Sequence, residues 1–180
     1  MKLRKAKKKK ILIVDGYNII NGWEELARIS KDDLETSREK LIDYMIEYSK
    51  YTGEKTVIVF DAYNVKNSSG STEKRSDTVS IVYTRENQTA DSYIEKYIAE
   101  LDDRHNTEIR VATSDFAEQQ IVLGKGGSRV SAREMYLDVM QAKEKIGRKK
   151  STHGKTVQRN SIIDHIDEDT FNKLESIRRK

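Results

Sequence analysis

Four aspartates carry the chemistry that the spacing of this sequence suggests. Asp15, Asp61 and Asp115 each follow a short apolar, β-branched run, and Asp91 stands in the first turn of a helical pattern after another such run. If those runs are parallel strands of one open sheet, their carboxyl ends share the edge at which such sheets bind ligands. Carboxylates gathered there repel one another and raise one another's pKa. Hard divalent cations relieve that repulsion, and Mg²⁺ needs few protein carboxylates because it keeps several waters. Two such ions ~4 Å apart can activate a water and stabilise the leaving oxygen in phosphodiester hydrolysis. Asn18, three residues beyond Asp15, offers a neutral partner for a water or phosphate oxygen. Glu95 shares a helix face with Asp91 and is a candidate further metal ligand or base. Ser114 could hydrogen-bond a ligand beside Asp115, and Tyr17 and Tyr63 flank strand-end acids where they could stack on bases. Each residue alone has a plainer reading. Asp91 and Asp115 suit helix starts, Asp15, Asp61 and Asn18 suit turns, and Glu95 suits a solvated helix face. The conjunction points to metal-dependent phosphoryl transfer.

Other chemistries find little support. The chain has no cysteine, which removes disulfides, zinc–cysteine sites, iron–sulfur clusters and thiol nucleophiles. His105, His153 and His165 are the only histidines and show no metal-ligand spacing. There is no GxSxG elbow and no GxxxxGK[ST] loop. The stretch Gly124-Lys125-Gly126-Gly127-Ser128 reads as a glycine-rich turn before a strand rather than a phosphate cradle. Trp23 and the tyrosines are candidates for stacking on bases, although Tyr93 and Tyr97, at helical spacing, read as core.

The elements that must position the aspartates follow from periodicity. Ile11–Val14, Thr56–Phe60, Val79–Thr84 and Glu108–Thr113 read as strands buried on both faces, with a weak fifth around Ser128–Val130. Asp15–Asn18 reads as turn chemistry, and residues 62–78, rich in Asn, Ser and Gly, as a surface loop. Leu41, Tyr44, Met45 and Tyr48 repeat at helical spacing, as do Ala90, Tyr93, Ile94, Tyr97, Ile98 and Leu101. Asp115 with Glu118, and Ser131 with Glu134, resemble capping pairs. Strands alternating with helices predict a single α/β domain, a mostly parallel central sheet with helices on both faces.

The chain's 180 residues suit one domain plus tails. Its net charge of +4 conceals unlike parts: residues 1–10 carry +7, residues 11–142 carry −8, and residues 143–180 carry +5. We therefore expect a basic N-terminal tail (1–10), an α/β domain (11–146), and a basic linker with a short C-terminal helix (147–180). The basic ends read as solvated tails or phosphate-binding arms. No apolar run approaches the ~20 residues of a membrane span. Asp15 interrupts the one run that mimics a signal peptide. A soluble cytoplasmic protein is expected, with a monomer favoured.

The quoted segments also resemble a known family. ILIVDGYNII (Ile11–Ile20), VIVFDAY (Val57–Tyr63), TADSYIE (Thr89–Glu95) and VATSD (Val111–Asp115), in this order, resemble the NYN branch of the PIN-like nucleases. Within it they are similar to the YacP-like subgroup of ribosome-associated endoribonucleases. The resemblance extends into the terminal LESIRR. It implies that residues 11–146 form a PIN-like NYN nuclease domain with a Mg²⁺- or Mn²⁺-dependent site that cuts RNA. The substrate it implies is messenger RNA on the translating ribosome. By position it assigns Asp15, Asp61, Asp91 and Asp115 to the acidic site and Asn18 to the first motif. Two rival readings remain: a non-catalytic RNA- or ribosome-binding module of the same fold, and a small-molecule phosphohydrolase.

Overall fold

The computed structural model describes residues 8–62, 69–101, 103, 106–115 and 127–160. Along the chain these form β1 (Lys9–Asp15), α1 (Gly16–Gly22), α2 (Glu24–Asp32), α3 (Leu34–Thr52), β2 (Lys55–Phe60), β3 (Ser71–Lys74), β4 (Val79–Tyr83), α4 (Ala90–Ala99), β5 (Thr107–Ala112), β6 (Ser128–Val130) and α5 (Ala132–Asn160). The strands lie in one sheet in the order β3-β4-β2-β1-β5-β6. All pairings are parallel except β3 with β4. The expected α/β architecture with a mostly parallel sheet is therefore the observed one.

The apolar strands are explained by their two covered faces. Leu12 and Val14 of β1 point into a core with Ile19, Ile20, Trp23, Leu41, Ile42, Met45, Met135 and Val139, contributed by α1, α3, α5 and the junction before α2. Ile11 and Ile13 point the other way, into a core with Val57, Val59, Ile94 and Ile98, where α4 packs. Central β1 is in register with β2 (Ile13 opposite Val57) and with β5 (Ile13 opposite Val111). The sheet grows from β1 outward through β2 to β4, then returns through α4 to β5 on the other side of β1. That reversal leaves a crevice between the carboxyl ends of β1 and β5, where ligands of open sheets bind.

Four expectations are corrected. Asp15–Asn18 is not a turn: α1 starts directly at Gly16, with Asp15 as its N-cap. Within the stretch read as a loop, Ser71–Lys74 forms the antiparallel edge strand β3. Lys9 and Lys10, assigned to the tail, begin β1 and pair with Asp103 at 3.4 Å and Glu108 at 3.7 Å. Residues 147–160, read as linker, are helical in α5. The terminal helix expected from about Asp167 and the pairing of Asp115 with Glu118 lie outside the described residues. The Ser131–Glu134 capping box is present, with Glu134 accepting from Ser131 N at 2.8 Å and donating its own N–H to Ser131 Oγ at 3.2 Å.

Contacts divide the chain into two compact units, Met1–Ala142 and Lys143–Lys180. In the second, Arg148 pairs with Glu144 one helical turn earlier, at 2.6 Å. Among the described residues no helix is long and apolar enough to cross a membrane.

Candidate active site

Parallel pairing alone sets the acids on one edge. Asp15 ends β1, Asp61 follows the last residue of β2, and Ser114 and Asp115 follow β5 after one intervening residue. Asp91 is the second residue of α4, whose start is fixed by Thr89: its hydroxyl accepts from Ser92 N at 3.1 Å. Asp15 is buried, Asp61, Asp91 and Glu95 are half-buried, and Asp115 is exposed. The deepest acid therefore lies at the centre of the sheet and the others surround it.

Their electrostatics record the convergence. Burial pushes the Asp15 carboxyl up to about 6, the backbone N–H of Asn18 opposes this, and the charges of Asp91, Asp61 and Asp115 raise it further. Asp91 is likewise raised, first by burial and then by Asp115, Asp61 and Glu95. So all five acids act on a common locus. The ligating atoms are hard carboxylate oxygens held under mutual repulsion, and that chemistry fits Mg²⁺ or Mn²⁺. Asp15, Asp61, Asp91, Asp115 and Glu95 are the residues that would hold such an ion. Among the described residues, no three acidic or histidine side chains are gathered tightly enough to enclose one ion between them.

Asn18 ties the two sides of the crevice together. Its backbone N–H donates to Asp15 Oδ1 at 3.2 Å, and its side-chain Oδ1 accepts from Ser114 N at 2.8 Å. Ser114 in turn accepts at Oγ from the N–H of Ala132, the first residue of α5, at 3.1 Å. One asparagine thus couples the β1 end, the β5 end and the start of α5. Asn18 and Ser114, candidate substrate contacts on sequence grounds, therefore have a positioning role as well.

Two buried threonines carry no mark in the sequence pattern that singled out the acids. Thr84 donates its N–H to Phe60 O at 3.0 Å and accepts at Oγ1 from Ala62 N at 2.9 Å, so it holds the chain on either side of Asp61. Thr113 repeats the device after β5, donating to Val130 O at 3.0 Å and accepting from Asp115 N at 3.1 Å. Thr84→Val keeps the shape but strips a buried N–H of its acceptor, a loss worth roughly 1–2 kcal/mol. We expect that destabilisation in urea melts together with weakened cleavage, because Asp61 loses its anchor. An unchanged melt and unchanged activity would remove Thr84 from this role.

The aromatic candidates divide. Tyr17 is half-buried, its ring 5.2 Å from that of Phe60 and its hydroxyl accepting from Arg38 at 3.0 Å. Arg38 also pairs with Glu35 and lies 5.9 Å over the ring of Tyr83. Tyr17 therefore sits at the site but is engaged by its neighbours. Tyr63 lies outside the described residues. Trp23 is buried and donates from Nε1 to Ala132 O at 2.8 Å, a core role rather than a base-stacking one. Tyr93 and Tyr97 pack on the α4 core with ring centroids 6.2 Å apart, as expected.

The chain is also similar to known proteins. The model of the YacP-like NYN domain matches residues 12–179. The chain is 41% identical to YacP of Bacillus subtilis over 140 residues, covering 77% of this chain and 80% of that protein. A crystal structure of Rae1 (YacP) from Bacillus subtilis matches with a TM-score of 0.69 at 37% identity, covering 94% of both chains. A second crystal structure of Rae1 (YacP), that of a mutant, matches with a TM-score of 0.66 at 40% identity, covering 79% of this chain and 82% of the other. With the family model spanning nearly the whole chain and the fold shared throughout, this protein belongs to the YacP-like NYN domain family and carries its PIN-like nuclease fold.

Proposed function

We propose that this protein is a metal-dependent endoribonuclease that hydrolyses RNA phosphodiester bonds, with messenger RNA on the translating ribosome in the cytoplasm as its substrate. The observation that carries the reading is the buried Asp15 carboxyl, pushed up to about 6 at the focus of Asp91, Asp61 and Asp115. An acidic locus of this kind is unfavourable for the fold and repels a phosphate unless a cation neutralises it. Mg²⁺ or Mn²⁺, when bound, neutralises the substrate phosphate and lowers the pKa of a water.

The chain's own groups have separable duties in this reading. Asp15, Asp61, Asp91 and Asp115 hold the cation, with Glu95 one turn along α4 as a further ligand. Asn18 Nδ2 has no hydrogen-bond partner among the described residues and is available to a phosphate oxygen, while Oδ1 fixes the side chain through Ser114 N. Tyr17, beside the strand-end acids, lines the RNA path. No histidine is present in the described site, and attack by water leaves 5′-phosphate and 3′-hydroxyl ends. Basic residues at both ends of the sequence draw in a polyanion.

Cation binding has a readout independent of turnover. Mn²⁺ or Mg²⁺ at a hundredfold excess over its dissociation constant should raise the unfolding free energy by about 2.7 kcal/mol. The same titration of Asp91→Asn should give a much smaller rise. Equal stabilisation of both proteins would place the cation elsewhere. Stabilisation without any RNA cleavage, tested with translating ribosomes present, would favour a non-catalytic RNA-binding module of the same fold.

A further inference from the structure

Next to the acidic edge, the corner between α1 and α2 and the first turns of α5 enclose a cavity of about 500 Å³. That is within the range of small-ligand pockets. Its walls include Gly22, Trp23, Glu24, Arg28, Arg133 and Tyr136. We propose that this cavity binds one nucleotide of single-stranded RNA, its base on the Tyr136 ring and its phosphate on Arg28 and Arg133. The proposal rests on the reading of the chain as acting on RNA and adds where the strand is held.

Three observations support it. First, the side chains of Arg28 and Arg133 make no hydrogen bond or ion pair among the described residues. Two guanidinium groups thus face one cavity without a carboxylate partner, a natural seat for phosphate. The cavity does hold acids, but Glu25 is occupied by Lys40 at 2.6 Å and Tyr44 at 2.9 Å, leaving Glu24 against two arginines. Second, Tyr136 is 40% exposed. Its ring stands edge-on to Trp23 with centroids 5.4 Å apart, which holds it in place and leaves ring surface open for stacking. Third, the cavity is wired to the acidic edge. Trp23 Nε1 donates to Ala132 O at 2.8 Å, Ala132 N donates to Ser114 Oγ at 3.1 Å, and Ser114 N donates to Asn18 Oδ1 at 2.8 Å. Gly22 allows this close approach, since a Cβ there would lie 2.5 Å from Ala132 Cβ. RNA crossing the acidic edge would therefore reach the cavity within a few nucleotides.

Trp23 is the only tryptophan of the protein, so its emission reports on the cavity. The test is titration of a short mixed-sequence single-stranded RNA into the full chain carrying Asp15→Asn, in EDTA, so that binding is read without cleavage. A saturable change in Trp23 emission is expected. Tyr136→Leu and Arg133→Gln should each weaken it roughly tenfold, and Tyr136→Phe should retain it. Both side chains are exposed, so the fold should tolerate these changes. No change in emission, or variants that bind as tightly as the parent, would overturn the proposal. RNA that saturates the signal in the parent but is never cleaved by the wild-type protein would uphold the cavity and remove the nuclease reading. Unaltered cleavage constants in the Tyr136→Leu, Arg133→Gln double variant would remove the cavity and leave the nuclease reading standing.

Discussion

Asp15→Asn is expected to abolish RNA cleavage and at the same time make the metal-free protein more stable above pH 6. Both effects follow from one carboxylate. It stands at the focus of three other acids, so its loss removes the centre of the cation site. For an electrostatic group of this kind we expect a fall of at least ~10²–10³-fold in rate. Its stability effect has the opposite sign. The Asp15 pKa rises from 3.8 to about 6 on folding, so the folded chain binds the proton more tightly than the unfolded chain does. Stability from this group is complete below pH 3.8 and is lost as pH rises through 6, a loss of up to ~3 kcal/mol. Asparagine carries no charge to desolvate, and its Oδ1 can still accept from Asn18 N. Urea melts in EDTA should therefore show the variant ahead at pH 8 and level with the wild type near pH 3. A variant less stable than wild type at pH 8 would contradict the account of Asp15 as a residue retained for function.

Gly16→Ala should be the most damaging methyl group that can be added near the site. A Cβ at Gly16 would lie 2.3 Å from Phe60 Cε1 and 2.5 Å from its Cδ1. Phe60 cannot yield cheaply. Its ring is fully buried, stacked on Tyr83 at 5.7 Å and flanked by Tyr17 at 5.2 Å. Overpacking of this kind costs roughly 1–3 kcal/mol. The strain would be relieved by moving the start of α1, and Gly16 lies between Asp15 and the Asn18 N–H that the Asp15 carboxylate caps. We therefore expect a loss of activity larger than the loss of stability alone explains. Adding Phe60→Leu should recover part of the stability by vacating the ring volume. If Gly16→Ala melts and cleaves like the wild type, the close packing of α1 on β2 is not what aligns Asp15.

How much of this is legible in the sequence depends on burial. β1, β2, β4 and β5 declare themselves because both their faces are covered, which leaves continuous apolar runs ending at the sheet edge. The acid cluster is legible for the same reason, since parallel strands deliver their last residues to one place. β3 is not, because all four of its residues are exposed and it is held only through the β4 backbone. α1 is hidden by its composition, GYNIING, which is turn-like and becomes helical under the burial of Ile19 and Ile20. α2 buries only Leu26, so its helical period is faint. The start of α5 is marked by its capping box, whereas residues 147–160 carry no apolar stripe. Long-range hydrogen bonds leave no local trace at all. Neither the clamp of Thr84 on Ala62 nor the Asn18–Ser114 bridge has a spacing that sequence could reveal. Arg110 is a further case: it ties Glu54 and Tyr48 to Asp138, joining β5, the end of α3 and α5.

The central claim is that the four clustered aspartates, three at strand ends and Asp91 at the start of α4, form the site that cuts RNA. Its most direct test maps RNA ends in a translating extract supplied with wild-type protein or with Asp91→Asn. Asp91 is suited to this because it is half-buried at the second position of α4, where asparagine leaves Thr89 as the helix cap. New 5′-phosphate ends are expected within messenger RNA with the wild-type protein, and none above background with the variant. Equal cleavage by Asp91→Asn, or ends bearing a 2′,3′-cyclic phosphate, would contradict that claim.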